Sequence, residues 1–249
     1  EMLGYLISKV GRFVENAMMR NIIGQPRSGF NLREIMDKRK ILLVNLSKGK
    51  VGEMNSNLLG LIIVSKLQMA ALARADVPEH ERPDFFLYVD EFQNFITDSI
   101  AVILSEARKY RLNMVLAHQY IGQLVVGSDT KVRDAVFGNV GTVAAFRIGV
   151  EDAELMTKQL APVVTEYDLI NIEKYNAYVR LLIENSTSRA FSMQTFPPSI
   201  GDRERALRIR AIARLKFGRP KTEVDADIMT RTKLGAAELP QTPVAESHA

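Results

Sequence analysis

The feature that most constrains the fold is an alternation of short apolar runs with helical patterns along the chain. Four apolar runs bounded by polar residues predict strands buried on both faces, at residues 40–46, 85–89, 112–117 and 142–146. Helical spacing precedes, separates and follows them, at residues 2–23, 55–73, 99–110, 131–137 and 151–160. Alternating strands and helices form βαβ units with right-handed crossovers. The sequence therefore predicts an α/β domain with a mainly parallel sheet flanked by helices.

The remaining segments close and extend this predicted domain. Apolar runs at residues 178–183 and 190–194 predict a closing hairpin, and residues 200–217 predict a basic helix. Beyond this helix the apolar periodicity fades into Pro, Thr, Glu and Ala, which is typical of a disordered tail. We expect one domain over residues 1–217 and a disordered C-terminal tail over residues 218–249.

Composition limits the classes of function. The chain has 249 residues, 47% of them hydrophobic, which favours a soluble globular protein over a disordered or fibrous one. It contains no cysteine, which excludes disulfides and thiolate metal sites and indicates a reducing compartment. The net charge of +4 permits contact with phosphate backbones without requiring it. No apolar run approaches the length of a membrane span, the longest being residues 58–64, so we expect no membrane contact within this segment.

Polar side chains follow each of the four predicted strands. In an open parallel sheet, ligands bind beyond the carboxyl ends of the strands, so chemistry is expected at this edge. The residues that follow the strands, in chain order, are Ser47, Asp90 with Glu91, His118 with Gln119, and Arg147.

Asp90 and Glu91 are the strongest signal at this edge. P-loop ATPases place a magnesium-associated Asp and a water-activating Glu at the end of a buried strand. Mg²⁺ takes carboxylate oxygen and water and needs one or two protein ligands. The Glu would orient and deprotonate the attacking water. An ordinary acidic loop after a strand gives the same pattern, so this reading remains open on the residues alone.

Three further side chains carry weaker signals. Gln119 would lie beside Asp90 if the second and third strands pair, and its amide could contact a γ-phosphate. Arg108 borders the apolar stripe of its predicted helix and could act as an arginine finger on a neighbouring subunit, although a solvated Arg explains it as well. His118 has no metal-ligand spacing around it, so a hydrogen-bonded structural role is expected.

Two other patterns bear on phosphate binding. A G-x-x-x-x-G-K-[ST] loop does not occur: Gly49 and Lys50 follow a predicted strand, but Val51 comes next. The chain alone is therefore expected to bind ATP poorly. Residues 201–221 carry eight Arg and Lys side chains that could follow a phosphate backbone. A solvated basic helix explains them equally, since only one aromatic residue, Phe217, lies among them to stack bases.

Several ordered motifs together resemble a known family. They are NLSKG at 45–49, FFLYVDEFQNF at 85–95, LSEARKY at 104–110, AHQY at 117–120 and FGNVGT at 137–142. In this order they are similar to the FtsK/HerA superfamily of ring-forming DNA pumps, and most like the TraD/TraG-type coupling proteins of conjugation and type IV secretion. The resemblance runs from about residue 40 to residue 196 and is far more specific than an Asp-Glu pair.

The resemblance implies the C-terminal part of a RecA-like P-loop NTPase domain, in a hexameric ATPase that moves DNA through a central channel. It implies ATP and Mg²⁺ as cofactors, with Asp90 as the metal ligand and Glu91 as the catalytic residue of a Walker B pair. Gln119 would be the sensor that contacts the nucleotide, and Arg108 the catalytic arginine acting in trans. The Walker A region and any membrane anchor are expected upstream of this segment, as the non-Met first residue, Glu1, also suggests.

The resemblance also sets expectations for partners and location. Expected partners are DNA, further copies in a homo-hexamer, and relaxosome or secretion-channel proteins. The expected location is cytoplasmic, at the inner face of the cell membrane through an N-terminal region outside this segment. Two alternatives stay open: a non-catalytic docking module that recruits DNA-processing proteins, and a HerA-like motor for DNA end processing.

Overall fold

The computed structural model describes residues 16–95, 103–125 and 127–232. Its contacts separate Leu32–Ile200 from a second unit, built from the residues before 32 and after 200. The sequence predicted one domain over residues 1–217, whereas the contacts place 16–31 and 201–232 together. The predicted helical residues 2–15 and the last part of the predicted tail, 233–249, lie outside the described residues.

The helices of the described chain follow the predicted pattern in most places. In chain order they are α1 Ala17–Ile23, α2 Leu32–Asp37, α3 Lys48–Val51, α4 Glu53–Leu72, α5 Lys131–Asn139, α6 Val150–Leu160, α7 Glu166–Ile170, α8 Arg203–Phe217 and α9 Lys221–Thr232. Short 3-10 turns follow α4, and others lie around the strands at Phe92–Phe95 and Ala107–Tyr110. The predicted helix over 99–110 falls partly on residues outside the described ranges.

A parallel pair of strands forms the centre of the larger unit. Strand β1, Phe85–Val89, pairs in parallel with β2, Leu112–Leu116, and Val89 lies opposite Leu116. The backbone N–H of Ala117 donates to the Val89 carbonyl at 3.0 Å, which extends the pairing by one residue. The two predicted strands and their parallel pairing are confirmed. Because the strands are parallel and in register, the residues that follow both of them come to the same edge.

The long helix α4 covers this pair. Its buried residues Val64, Leu67 and Ala71 share one hydrophobic core with residues of both strands. Gly60 of α4 lies directly against the ring of Phe95, where a β-carbon would overlap the ring. The helix therefore approaches closely the turn that follows β1, and the absence of a side chain at residue 60 makes that approach possible.

The same helical run is the only candidate membrane span in the described chain. Glu53–Asp76 is long and apolar enough to cross a membrane by length and composition, with a mean hydropathy of 1.6. The sequence analysis counted only the unbroken apolar stretch at 58–64, whereas this helix continues through polar residues on both sides of it. The core helix of a soluble protein has the same length and composition, and 33% of the apolar part of this helix is buried within the fold.

The other strands form antiparallel pairs. The three-stranded sheet has the order β3 Val143–Ala145, β4 Asn176–Arg180 and β7 Phe191–Gln194, and two-residue strands β5 Leu182–Ile183 and β6 Ser186–Thr187 form a hairpin between β4 and β7. The predicted closing hairpin is confirmed. The fourth predicted strand forms as β3, but it pairs antiparallel with β4 and does not extend the parallel sheet. A second core of α6, α7 and sheet residues supports this side of the unit.

The first predicted strand, residues 40–46, differs from expectation. These residues have no regular secondary structure, and Ile41 and Leu43 are 88% and 80% exposed. A buried strand requires a hydrogen-bonded neighbour and cover on its faces. Among the described strands none pairs with this run, and Ile41 and Leu43 lack cover, whereas Leu42 and Leu46 are half-buried.

In the smaller unit, helix α9 occupies residues that the sequence assigned to a disordered tail. Val224 and Ile228 are buried on one face of α9, and Met19 of α1 is fully buried. The Arg231 side chain donates to the Gly24 carbonyl at 2.5 Å. Two apolar residues at i and i+4 suffice to pack a short helix against a neighbour, a signal too sparse to stand out in a polar stretch.

Candidate functional site

The edge beyond the parallel strands brings together two of the predicted site residues. Glu91 follows β1 and Gln119 follows β2, and the Gln119 Nε2 donates to Glu91 Oε1 at 2.6 Å. Asp90 precedes Glu91 at the same edge and is exposed. Gln119, which was predicted to lie beside Asp90, therefore contacts the neighbouring carboxylate of Glu91.

The backbone of Glu91 is fixed by a tight turn. Its φ of 49° lies in the left-handed region, which costs a non-glycine residue about 1 kcal/mol. The Glu91 N–H donates to Asp90 Oδ1 at 3.0 Å, and the Glu91 carbonyl accepts both the backbone N–H and the side-chain Nδ2 of Asn94, each at 3.0 Å. These bonds offset the strain of the Glu91 backbone.

A second glutamine completes the hydrogen bonding of the Glu91 carboxylate. Gln93 Nε2 donates to Glu91 Oε2 at 2.5 Å, while Gln119 occupies Oε1. The hydrogen bonds from Gln119 and Gln93 lower the pKa of Glu91, with a smaller contribution from the positive charge of Lys48; partial desolvation opposes them. Glu91 is therefore ionised at neutral pH. The sequence analysis assigned no role to Gln93.

Lys48 is another residue that the sequence analysis missed. It begins α3, and its Nζ lies 2.7 Å from Glu53 Oε1 and 3.3 Å from Asn94 Oδ1. Its charge thus reaches the turn that carries Glu91. The available signal was its position after a predicted strand, beside Ser47. The neighbouring Gly49 and Lys50 lie within the helical turn α3, so this segment does not form a phosphate loop.

Asp90 fits the predicted magnesium role. One carboxylate oxygen, Oδ1, accepts the Glu91 N–H, and Oδ2 has no hydrogen bond within the described residues. No group of three or more His, Asp or Glu side chains in the described part of the chain could hold a metal ion on its own. A single carboxylate suits Mg²⁺, which binds proteins through one or two carboxylates and completes its shell with waters and substrate phosphates.

Arg108 lies away from this cluster. It belongs to the 3-10 turn Ala107–Tyr110, which precedes β2, so it is at the opposite edge of the parallel pair. A five-residue strand separates the two edges by roughly 16 Å. The Arg108 Nη2 donates to Asn185 Oδ1 at 2.8 Å. Within one chain, therefore, Arg108 and Glu91 are not brought together.

The other polar residues at strand ends play smaller parts in the geometry. His118 Nδ1 lies 3.3 Å from the Tyr120 carbonyl, and its ring meets Phe92 edge-on with centroids 6.4 Å apart. The Ser47 N–H donates to Asn45 Oδ1 at 3.0 Å. Arg147 follows β3, which belongs to the antiparallel sheet, so it does not extend the edge formed by β1 and β2.

Known proteins match this part of the chain. A family described as the TraM recognition site of TraD and TraG matches residues 84–177, which include β1, β2, Glu91 and Gln119. Solved structures of the plasmid coupling protein TrwB, in complex with the GTP analogue GDPNP and with ADP and Mg²⁺, are 16% and 17% identical to the chain, each with a TM-score of 0.57. Residues 84–177 are therefore similar to the TraD/TraG-type coupling proteins.

The likeness to TrwB concerns the fold. It covers 77% of this chain and 49% of the TrwB chains, so the chain spans about half the length of the structures it matches. It confirms the predicted α/β, RecA-like P-loop class. No curated protein matches the sequence.

Proposed function

We propose that this chain is part of an ATP-driven DNA translocase of the coupling-protein type, used in conjugative or type IV secretion DNA transfer. The observation that supports this most directly is the contact of Gln119 Nε2 with Glu91 Oε1 at the carboxyl edge of two parallel strands. That edge is where α/β folds of this class bind their ligands.

In this proposal each polar residue at the edge has a separate task. The ionised Glu91 accepts a proton from the attacking water and orients it. Asp90 offers Oδ2 to Mg²⁺, which when bound offsets negative charge on the transferred phosphoryl group. Gln119, already within hydrogen-bond distance of Glu91, senses the γ-phosphate through its amide.

Arg108 completes the site from a neighbouring copy. Arg108 and Glu91 lie at opposite edges of the strands, separated by roughly 16 Å for a five-residue strand. Arg108 therefore does not reach the site of its own chain. In a ring, the strand edge that carries Arg108 in one subunit can face the strand edge that carries Glu91 in the next subunit. An arginine supplied in trans neutralises charge in the phosphoryl-transfer transition state. We therefore propose a homo-oligomeric ring, with six subunits as the resemblance implies.

The remaining requirements lie outside these residues. Since the sequence has no phosphate loop, the nucleotide phosphates would be held by another part of the whole protein. We place the protein in the cytoplasm, at the inner face of the membrane through a region beyond this segment. DNA would pass through the ring.

A second function is favoured by one specific observation. The family matching residues 84–177 is described as a recognition site for TraM, which suggests docking of a relaxosome protein on this segment. The docking function does not compete with catalysis, because a single segment can present a partner surface and half of a nucleotide site.

The test is Glu91→Gln in the intact coupling protein. The variant keeps the shape of the side chain and loses the charge, so ATP turnover should fall to a small residual rate while nucleotide binding, measured by fluorescence of an ATP analogue, is retained. Glu79→Gln is the matched control, since Glu79 is exposed in the 3-10 turn Glu79–Glu81 before β1, and it should hydrolyse ATP normally. Normal turnover in Glu91→Gln would remove Glu91 from the catalytic role.

A further inference from the structure

The Glu91 carboxylate is held by two amides that come from different places in the chain. Gln93 lies in the 3-10 turn Phe92–Phe95 directly after β1, whereas Gln119 lies beyond β2. Each amide donates to a different oxygen, Gln93 to Oε2 and Gln119 to Oε1. A carboxylate with both oxygens bound to donors is fixed in orientation.

The two glutamines differ in how firmly they are placed. Gln119 is exposed, while Gln93 is partly buried and its Oε1 is buried without a hydrogen-bond partner in the described residues. The turn that carries Gln93 is itself tied to the Glu91 carbonyl by the two hydrogen bonds from Asn94. Gln119 can therefore leave the carboxylate more easily than Gln93.

The orientation of the Gln93 amide follows from charge. Turning the amide over would bring its carbonyl oxygen against the Glu91 carboxylate, so that two acceptors would face each other. The orientation with Nε2 toward Glu91 makes a charge-assisted hydrogen bond, which is stronger than a neutral one. It leaves the buried Oε1 unpaired in the described residues, which is unfavourable for an acceptor away from water. Gln93 thus keeps its hydrogen bond to Glu91 and gives up a hydrogen bond to its own Oε1.

We propose that Gln93 is a positioning residue, which keeps the Glu91 carboxylate aimed while Gln119 moves to the nucleotide. This inference rests on the proposed ATPase function and gives the two glutamines different roles in it. When Gln119 turns to the γ-phosphate, Oε1 becomes available to water, and Oε2 stays bound to Gln93. Without Gln93 the released carboxylate would rotate freely, and productive orientations would be rarer.

The first experiment compares Gln93→Met with Gln119→Met in the intact coupling protein. Methionine has nearly the length of glutamine and no amide. For Gln93→Met we expect kcat to fall about 10-fold with KM for ATP unchanged, because the residue acts on orientation and not on binding. For Gln119→Met both parameters should change. Gln194→Met, an exposed substitution on β7, is the control and should leave both unchanged.

A second comparison tests that Gln93 acts through Glu91. In a Glu91→Gln background, adding Gln93→Met should leave the residual rate unchanged, since there is no carboxylate left to position. A further 10-fold loss in that background, or an unchanged kcat in Gln93→Met alone, would overturn the inference. In the second case Glu91→Gln would still be inactive, and the proposed ATPase role would stand.

The contact itself can be observed without hydrolysis. In this 249-residue chain, the side-chain ¹⁵N–¹H resonances of Gln93 should shift when Glu91→Gln removes the charged acceptor. The side-chain resonances of Gln194 should not move. Unmoved Gln93 resonances would refute the contact, whereas a shift combined with normal ATP turnover in Glu91→Gln would refute the proposed function and leave the contact intact.

Discussion

At the scale of single residues, the proposed roles depend on which carboxylate oxygens are already bound. Asp90 Oδ1 accepts the Glu91 N–H, and Oδ2 is available for a cation. Asp90→Asn keeps an acceptor for that N–H and removes the charge. In the intact protein we expect the Mg²⁺ concentration for half-maximal ATP hydrolysis to rise by roughly 10-fold or more.

The control for Asp90 is Asp129→Asn. Asp129 also accepts a backbone N–H, from Lys131 at 2.9 Å, but it lies before α5 and not at the candidate edge. Its variant should show the parent's Mg²⁺ dependence. If Asp90→Asn also titrates with Mg²⁺ like the parent, Asp90 is not the metal ligand.

Glu34 offers a test of electrostatics away from the site. Hydrogen bonds from Lys40, at 2.6 Å, and Lys38, at 3.1 Å, lower the pKa of Glu34 from 4.5 to about 2. Because the folded pKa is the lower one, this carboxylate stabilises the fold above about pH 4.5, and the contribution is lost as the pH falls toward 2. Glu34→Gln should therefore be less stable than the parent at pH 7 and converge with it near pH 2.

Urea unfolding at a series of pH values measures this convergence. The effect should be small, since the carboxylate is exposed to solvent. Glu79 has no ion pair within the described residues, so the free energy of unfolding of Glu79→Gln should depend on pH as that of the parent does. A constant offset for Glu34→Gln at all pH values would contradict the electrostatic explanation.

At the scale of elements, one buried arginine joins several parts of the larger unit. Arg74 follows α4 and is fully buried. It donates to Asp37 Oδ1 at 3.1 Å, to the Tyr110 carbonyl at 3.0 Å and to the Pro83 carbonyl at 2.5 Å. It thus links α2 and the end of α4 to the segments that precede both parallel strands.

Arg74→Met retains the apolar stem and leaves the Tyr110 and Pro83 carbonyls without their arginine donor, while Asp37 keeps its ion pair with Arg33. We expect the free energy of unfolding to fall by about 3 kcal/mol, because two carbonyl acceptors lose their donor in the protein interior. Urea unfolding provides the measurement. Arg133→Met, which removes an exposed ion pair with Asp134, should cost less than about 1 kcal/mol. Similar losses in both variants would show that the buried contacts of Arg74 contribute little.

Elements also show how far the sequence predicts the fold. Strands β1 and β2 and their common edge were predictable, because apolar runs ending in polar residues lie next to each other in sequence order. The run at 40–46 has the same local pattern and forms no strand, and β3 pairs antiparallel. Pairing partner and direction depend on tertiary packing, which local patterns do not encode. The Gln93 contact was equally hidden, since it depends on the left-handed φ of Glu91.

At the scale of the whole molecule, the positions of Glu91 and Arg108 at opposite edges lead to a prediction about assembly. If each ATP site combines Glu91 of one subunit with Arg108 of the next, Glu91→Gln and Arg108→Ala proteins should each be inactive alone. Mixed in equal amounts, they should form some interfaces in which both residues are intact. Random mixing gives about one interface in four, so about a quarter of the parent ATPase rate should return.

Asn185→Ala separates this catalytic role from a structural one. Asn185 accepts the hydrogen bond from Arg108 Nη2, so its removal breaks the same contact and leaves the positive charge in place. If Arg108 acts in trans, Asn185→Ala should keep most of its ATPase rate, and the mixing experiment should restore activity. If Arg108 only ties its turn to the β5–β6 hairpin, Asn185→Ala should lose as much ATPase activity as Arg108→Ala. The mixed rings should then stay inactive, because no subunit receives a catalytic arginine from its neighbour.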